Sequence, residues 1–185
     1  MNATGPGQSL LLLLDVVALL DEQGIDYGVV GALAASVYGT VRATTDADAI
    51  VSVSPPKLAG LERKLRKAGF AADLHRGDSD DPIPALIAIS DRFGNRVDLL
   101  GGLRGLDPEA FERTISVAFS GTNLRIIGRE DFIAMKCFAG GPQDMADAQE
   151  AFRAAEPAID LDLVRRITRR FGRPAADALE RLLAA

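Results

Sequence analysis

Two aspartates that could share a metal ion stand at the start of an apolar segment in the first third of the sequence. Residues 45–53 are TDADAIVSV, in which Asp46 and Asp48 precede a run of alanine and β-branched residues typical of a strand. Side chains alternate between the two faces of a strand, so these two carboxylates point to the same side. Such a pair suits Mg²⁺ bound to substrate phosphates, and a solvated strand end is the alternative interpretation.

A third acid, Asp98, lies in the later apolar segment NRVDLL at residues 95–100. An acid flanked by valine and leucine is costly to bury unless it is paired or bound to a metal. On a neighbouring strand it would complete a two-metal site with the first two acids. An ion pair with Arg96 or Arg92 in the predicted hairpin is the alternative.

A turn of small residues precedes the paired acids. Residues 29–39 are VVGALAASVYG, which predicts a strand followed by a brief helix that starts at Gly31. The start of this helix would present unpaired backbone N–H groups and the positive end of its dipole to a phosphate. Because Gly31 has no side chain, the backbone can approach such a ligand closely.

The composition limits the chemistry further. The chain has 185 residues, one Cys and one His, so it has no internal disulfide, no thiolate zinc site and no His cluster. A metal here would be held by oxygen atoms, which favours Mg²⁺, Mn²⁺ or Ca²⁺. The net charge of −5 argues against broad binding to nucleic acid. The basic segment RRITRR at residues 165–170 is the local exception, either as a contact for an RNA acceptor or as the solvated face of a helix.

The apolar segment LLLLLDVVALL at residues 10–20 raises the question of a membrane or export signal. It is too short to span a bilayer, Asp15 interrupts it, and no Lys or Arg precedes it. We therefore expect a helix packed into the core, no membrane association and a cytoplasmic protein.

The remaining pattern predicts the arrangement of the chain. Apolar periodicity predicts a helix at residues 9–23, a second helix at 54–70, a hairpin formed by ALIAIS and NRVDLL, and short strands at 115–119 and 124–127. From Arg129 onward, four segments broken by Gly and Pro predict consecutive helices. The predicted class is α/β (α+β), with a mixed-sheet core in residues 1–127 and a C-terminal helical bundle in residues 128–185.

These segments together resemble a known enzyme superfamily. VVGALAASVYGTVRATTDADAIV followed by RVDLL resembles the nucleotidyltransferases that include DNA polymerase β, which carry a small-residue turn, a short helix, an Asp-x-Asp/Glu strand and a later single Asp. The segments YGTVRATTDADAIV and REDFIAMKCFAGGPQDMADAQE are more similar to the small prokaryotic branch around the AbiEii abortive-infection toxins. The resemblance covers roughly residues 24–152.

The resemblance implies a role for each residue of the site. Asp46 and Asp48 would bind two Mg²⁺ or Mn²⁺ ions, and Asp98 would bind one of them and help to activate the attacking hydroxyl. That hydroxyl would attack the α-phosphorus of a nucleoside triphosphate and release pyrophosphate. The implied nucleotide-binding residues are Gly31, Ala32, Arg42, Thr44 and Lys136.

This resemblance, together with the position at which the chain departs from it, leaves three possible functions. The first is transfer of a nucleoside monophosphate to RNA, protein or a small molecule, in a toxin–antitoxin setting with a cognate protein partner. The second is a non-catalytic binding module or antitoxin-like partner, which is favoured by Ala32 where the family has Gly or Ser. The third is an aminoglycoside-type transferase, since a pI of about 4.9 suits a cationic acceptor. Lys136 lies among apolar neighbours, so an extended side chain that reaches water is the alternative to phosphate binding.

Overall fold

A mixed seven-stranded sheet forms the centre of the protein. The computed structural model describes residues 2–41, 43–78, 80–154 and 158–184. In these residues the sheet order is β3-β4-β5-β2-β1-β7-β6, in which β1 is parallel to β7, β2 is parallel to β5 and the other neighbours are antiparallel. The strands are β1 (Tyr27–Val30), β2 (Asp46–Val51), β3 (Ala71–Arg76), β4 (Ala85–Ser90), β5 (Arg96–Gly101), β6 (Ile115–Phe119) and β7 (Thr122–Ile126).

Seven α-helices surround this sheet within the described ranges. They are α1 (Ser9–Glu22), α2 (Gly31–Val37), α3 (Leu58–Lys67), α4 (Arg129–Ala139), α5 (Pro142–Arg153), α6 (Leu161–Arg170) and α7 (Arg173–Leu183). Short 3₁₀ helices occupy Pro55–Lys57 and Pro108–Phe111. The predicted α+β class, with a mixed sheet and helices at the C-terminal end, is therefore confirmed. Of the helices described, none has both the length and the apolar character needed to cross a membrane.

One face of the sheet is buried under α1 and α3. The apolar residues that alternate along the central strands, such as Ala49, Ile87 and Leu99, are inaccessible to solvent on this side. Leu58 packs so closely on Gly101 that a Cβ atom there would lie 2.4 Å from its Cδ1. Because side chains alternate, the residues between these apolar positions project from the opposite face, and all three predicted site aspartates are among them.

The helices α4 to α7 pack on one another, and α4 lies next to the point where β1 ends and α2 begins. The Tyr38 hydroxyl donates a hydrogen bond of 2.5 Å to the Ile127 carbonyl, and its ring lies 5.3 Å from that of Phe132 on α4. One hydrophobic cluster contains buried residues from both the sheet and these helices. A shared core therefore joins the two predicted parts of the chain. The predicted domain boundary after residue 127 remains a prediction.

Candidate active site

The register of two parallel strands places the three acids on one face of the sheet. Asp48 on β2 is directly opposite Asp98 on β5, and Asp46 is opposite Arg96. Neighbouring strands are about 4.8 Å apart, so Asp48 and Asp98 are adjacent side chains. Asp46 follows on the same face because it is two residues from Asp48 on one strand.

The same face continues across β4 to the edge of the sheet. Ala88 is the partner of Asp98, and Asp73 on β3 is the partner of Ala88, so a row of four residues runs from Asp48 to Asp73. The small Ala88 leaves space beside Asp98. The next row along the strands has Ile50, Leu100, Leu86 and His75.

Asp98 is held in a partly desolvated position. Its side chain is 19% exposed, and its Oδ1 is buried without a hydrogen-bond partner in the described residues. Burial raises the pKa of Asp98; the nearby Arg96 and His75 oppose this rise, and Asp46 adds to it. The alternative ion pair is weak, since Arg96 Nη2 lies 4.0 Å from Asp98 Oδ1 and Arg92 lies over the Phe93 ring instead.

Thr44 fixes the carboxylate of Asp46. Its hydroxyl lies 2.7 Å from Asp46 Oδ1, to which it donates, and 3.4 Å from the Asp46 backbone N. This contact explains why a threonine precedes the paired acids, whereas a contact of Thr44 with nucleotide remains a prediction. Arg42, the predicted phosphate ligand in the same loop, lies outside the described residues.

Gly31 is pressed against Asp48. It follows β1 directly, starts α2 and has a φ of +63°, in the left-handed region that favours glycine. A Cβ atom at this position would lie 2.2 Å from Asp48 Oδ2. Ala32, the next residue, is buried within α2. The absence of a side chain at Gly31 thus allows the start of the helix and the carboxylate to be neighbours.

Lys136 is enclosed near this turn rather than extended into water. It is 9% exposed, and its Nζ donates to Asp144 Oδ1 at 2.8 Å and contacts the fully buried Asp147 Oδ2 at 2.9 Å. The surface interpretation of Lys136 is therefore wrong. Together with Gly31 and Phe132, Lys136 lines a cavity of about 130 Å³, so the structure brings it to the start of α2, while its contact with phosphate remains a prediction.

The partners of Lys136 near the candidate site were not among the residues predicted from the sequence. Asp144 and Asp147 are three residues apart on α5, which places them on one face of that helix. The spacing in PQDMADAQE was a usable signal for such a face. What the sequence did not show is that the turn between α4 and α5 folds this face back onto Lys136.

The donor set suits a hard cation, although its present geometry does not enclose one. Within the described ranges, no three Asp, Glu, His or Cys side chains are arranged to hold a metal ion. Mg²⁺ commonly takes only one or two protein carboxylates and completes its shell with water and substrate phosphates. The carboxylates of Asp48 and Asp98 fit that requirement. The Oδ1 atom of Asp98 has no hydrogen-bond partner among the described residues. Asp46, held by Thr44, would need to turn to join them.

Substitution of Gly31 by alanine should disturb Asp48 in addition to straining the backbone. Gly24 is the matched control: it has the same φ of +63°, but a Cβ atom there would have open space within 4 Å among the described residues. We expect Gly24→Ala to cost about 1–2 kcal/mol from the left-handed backbone alone, and Gly31→Ala to cost clearly more. Urea unfolding measures both values, and equal losses would contradict the close contact with Asp48.

Asp98→Asn should stabilise the metal-free protein at neutral pH. A raised carboxyl pKa means that the folded state binds the proton more tightly than the unfolded state does. The charged carboxylate therefore lowers the free energy of unfolding once the pH rises above the unfolded-state pKa of about 3.9. The gain from Asp98→Asn should be present at pH 7 and vanish at pH 3.5. Melting temperatures in EDTA measure it, and exposed Asp73→Asn, the control, should show no gain.

Lys136→Met should destabilise the fold because it removes the cation that two carboxylates contact. We expect a loss of about 3–5 kcal/mol, as for breaking a buried ion pair, and partial recovery in the double variant with Asp147→Asn. Lys64→Met, which removes a surface contact to Gln23, is the control and should change little. A single Lys136 variant as stable as the parent in urea unfolding would show that the buried pair is not formed.

Comparison with solved structures relates this geometry to known proteins. No protein-family model matches the chain, and no curated protein matches it at a significant level. An antigenic nucleotidyltransferase-like protein from Paracoccidioides brasiliensis has a TM-score of 0.61 at 18% identity, over 98% of this chain and 90% of that one. ANT(2'')-Ia, solved in complex with adenylyl-2''-tobramycin, has a TM-score of 0.58 at 14% identity, over 89% and 96%.

A further structure agrees with these two. The lincosamide antibiotic adenylyltransferase LnuA, with lincomycin bound, has a TM-score of 0.50 at 14% identity, over 83% of this chain and 100% of that one. At such low identities the comparisons concern the backbone arrangement, and the three proteins share it along most of their lengths. The chain therefore has the nucleotidyltransferase fold.

Proposed function

We propose that this protein is a metal-dependent nucleotidyltransferase that moves a nucleoside monophosphate from a nucleoside triphosphate to an acceptor hydroxyl. The observation that carries the proposal is the pairing of Asp48 with Asp98 on adjacent parallel strands, with Asp48 against Gly31 at the start of α2. Two adjacent carboxylates beside the start of a helix suit a metal–triphosphate complex. The fold supports the same conclusion, since it is that of nucleotidyltransferases.

The reaction is an exchange at the α-phosphorus. The acceptor oxygen forms a bond to this phosphorus, the bond to the bridging oxygen of the β-phosphate breaks, and pyrophosphate leaves. Mg²⁺ or Mn²⁺, held by Asp46, Asp48 and Asp98, would supply charge neutralisation at the phosphate oxygens. Asp98 is suited to take the proton of the attacking hydroxyl, because desolvation has raised its pKa and its Oδ1 has no hydrogen-bond partner in the described residues.

The triphosphate would lie on the β1 side of Asp48. Gly31 and Lys136 line one small cavity there, so the helix start and a cation lie together. Asp144 and Asp147 hold Lys136 in place and share its charge, which makes it a fixed rather than a mobile partner for phosphate. Ala32 leaves backbone N–H groups as the polar donors at this turn, in place of the hydroxyl that a serine would supply.

The non-catalytic alternative has less physical support. A binding module has no need to keep Asp98 partly desolvated near Asp46, because both effects disfavour the charged form of Asp98 in the folded state. Thr44 also holds Asp46 on the face that carries Asp48 and Asp98. This arrangement is expected where a cation and a substrate compensate the charge during the reaction.

Among acceptors, the structure favours a small molecule over RNA. Three of the four arginines of RRITRR make internal contacts: Arg165 pairs with Glu180, Arg166 with Asp107, and Arg170 donates to the Gly105 and Leu106 carbonyls. This basic segment therefore contributes contacts within the fold, which leaves less of its charge available to an RNA acceptor. ANT(2'')-Ia with adenylyl-2''-tobramycin and LnuA with lincomycin provide precedents on the same fold. The toxin–antitoxin setting and a cognate partner remain predictions from sequence resemblance.

A labelled-nucleotide assay tests the proposal. The protein is incubated with each α-³²P-labelled nucleoside triphosphate, Mg²⁺ or Mn²⁺, and separately with tobramycin, lincomycin, total RNA or a cell extract. We expect labelled product and pyrophosphate from the parent, a loss of at least about 100-fold in Asp48→Asn, and near-parental activity in Asp73→Asn.

Thermal shift gives an independent measurement on the same variants. Mg²⁺ with nucleoside triphosphate should raise the melting temperature of the parent, because a ligand that binds only the folded state stabilises it. Asp48→Asn should lose this rise. If neither metal nor nucleotide shifts the parent and no acceptor becomes labelled, the proposed activity is wrong.

A further inference from the structure

A larger cavity lies on the other side of the paired acids. It has a volume of about 460 Å³ and opens between the last residues of β2 and β5 and the chain that follows β5. Its floor includes Ile50 and Leu100, which face the same side as Asp48 and Asp98 and are the next residues to do so along each strand. The cavity therefore begins at the next row of residues along the strands from Asp48 and Asp98.

Apolar side chains dominate the walls of this cavity. Leu103, Leu106 and Phe111 face the floor residues, and Ser52 and Ser54 provide hydroxyl groups at one side. Its volume lies within the range of about 300–1,000 Å³ that is usual for small-ligand pockets. Walls of this kind bind an alkyl or aryl group well and a charged group poorly.

The helix α6 holds the chain that follows β5, which forms one wall of the cavity. Arg170 donates to the Gly105 and Leu106 carbonyls, at 3.3 Å each, and Arg166 lies 3.2 Å from Asp107 Oδ2. The other oxygen of Asp107 accepts from the Glu109 N at 3.1 Å and starts the 3₁₀ helix that carries Phe111. The cavity is thus formed by the folded chain itself and does not depend on a ligand to shape it.

The two cavities lie on opposite sides of β2. Gly31 and Lys136 line the small one beside β1, where the triphosphate is placed in the proposed function. The larger one is bounded by β5, the strand of Asp98, whose carboxylate would take the proton of the attacking hydroxyl. The acceptor must reach Asp98 from a direction that the triphosphate leaves open, and the larger cavity begins at Leu100, two residues beyond Asp98 on the same face.

We propose that this cavity binds an apolar group of the acceptor. The inference rests on the proposed function and narrows the acceptor to a class: a small hydroxylated molecule that carries an alkyl or aryl group. Its hydroxyl lies at Asp98, and its apolar group occupies the space between Leu100 and Phe111. A wholly polar polycation does not match these walls.

Binding of two matched glucosides tests this assignment without nucleotide or turnover. Phenyl β-D-glucoside and methyl β-D-glucoside carry the same hydroxyls and differ in the apolar group. We expect the phenyl compound to bind at least about tenfold more tightly, as burial of an aromatic ring predicts, with its ring protons receiving the strongest saturation transfer in NMR spectra. Equal binding of the two compounds, or no binding of either, would overturn the assignment.

Two lysine substitutions locate the binding. Leu103→Lys places a charge in the wall of the cavity, whereas Leu86→Lys places it on the same sheet face outside the lining residues. Phenyl glucoside should lose at least about tenfold in affinity with Leu103→Lys and keep its affinity with Leu86→Lys. Circular dichroism confirms folding, and Leu103→Ala, a milder change, should weaken binding in the same direction.

The outcomes separate this inference from the proposed activity. Unchanged phenyl-glucoside affinity in both Leu103 variants would place the ligand elsewhere and overturn the assignment, whatever the labelling assay shows. Binding at this cavity in a protein that labels no acceptor would instead contradict the transfer reaction and leave the binding site established.

Discussion

The placement of Asp98 in a partly buried position opposite Asp48 is the constraint on which the rest of the structure depends. Burial raises the pKa of Asp98, and the nearby Asp46 adds to this rise, so the charged form of Asp98 costs folding free energy. The fold tolerates this because the opposite face of the same strands is packed under α1 and α3 with side chains such as Ala49 and Leu99. The apolar face supplies the stability, and the polar face presents three carboxylates that a metal–phosphate complex is suited to contact.

The sheet order places β1 on one side of β2 and β5 on the other. The strand β1 and the start of α2 approach Asp48 from one side, where Gly31 leaves no side chain between helix and carboxylate. The strands β5 and β4 extend the face on the other side, where Ala88 and Leu100 leave an open surface. Since β2 lies between them, one strand with two acids can contact a phosphate chain on one side and an attacking molecule on the other.

Much of this arrangement could be predicted from local sequence patterns. Alternation fixes the faces of Asp46 and Asp48, and the apolar hairpin places Asp98 inside a strand, so the acids were recognisable without coordinates. The strand β3 was missed because AADLHR is largely exposed and shows little apolar alternation. The partners of Lys136 and of Arg166 were not predictable, because these contacts join residues brought together only by helix packing, in one case 59 positions apart.

The engagement of Arg166 and Arg170 with the chain after β5 has a consequence for how the protein responds to its ligands. The helix α6 touches the wall of the larger cavity, α4 carries Lys136 beside the smaller one, and the two helices pack on each other. A rotation of this helical group relative to the sheet would alter both cavities in a single movement. Binding of a ligand in one cavity would then change the affinity of the other cavity for its own ligand. Thermodynamic linkage requires this factor to be the same whichever ligand binds first.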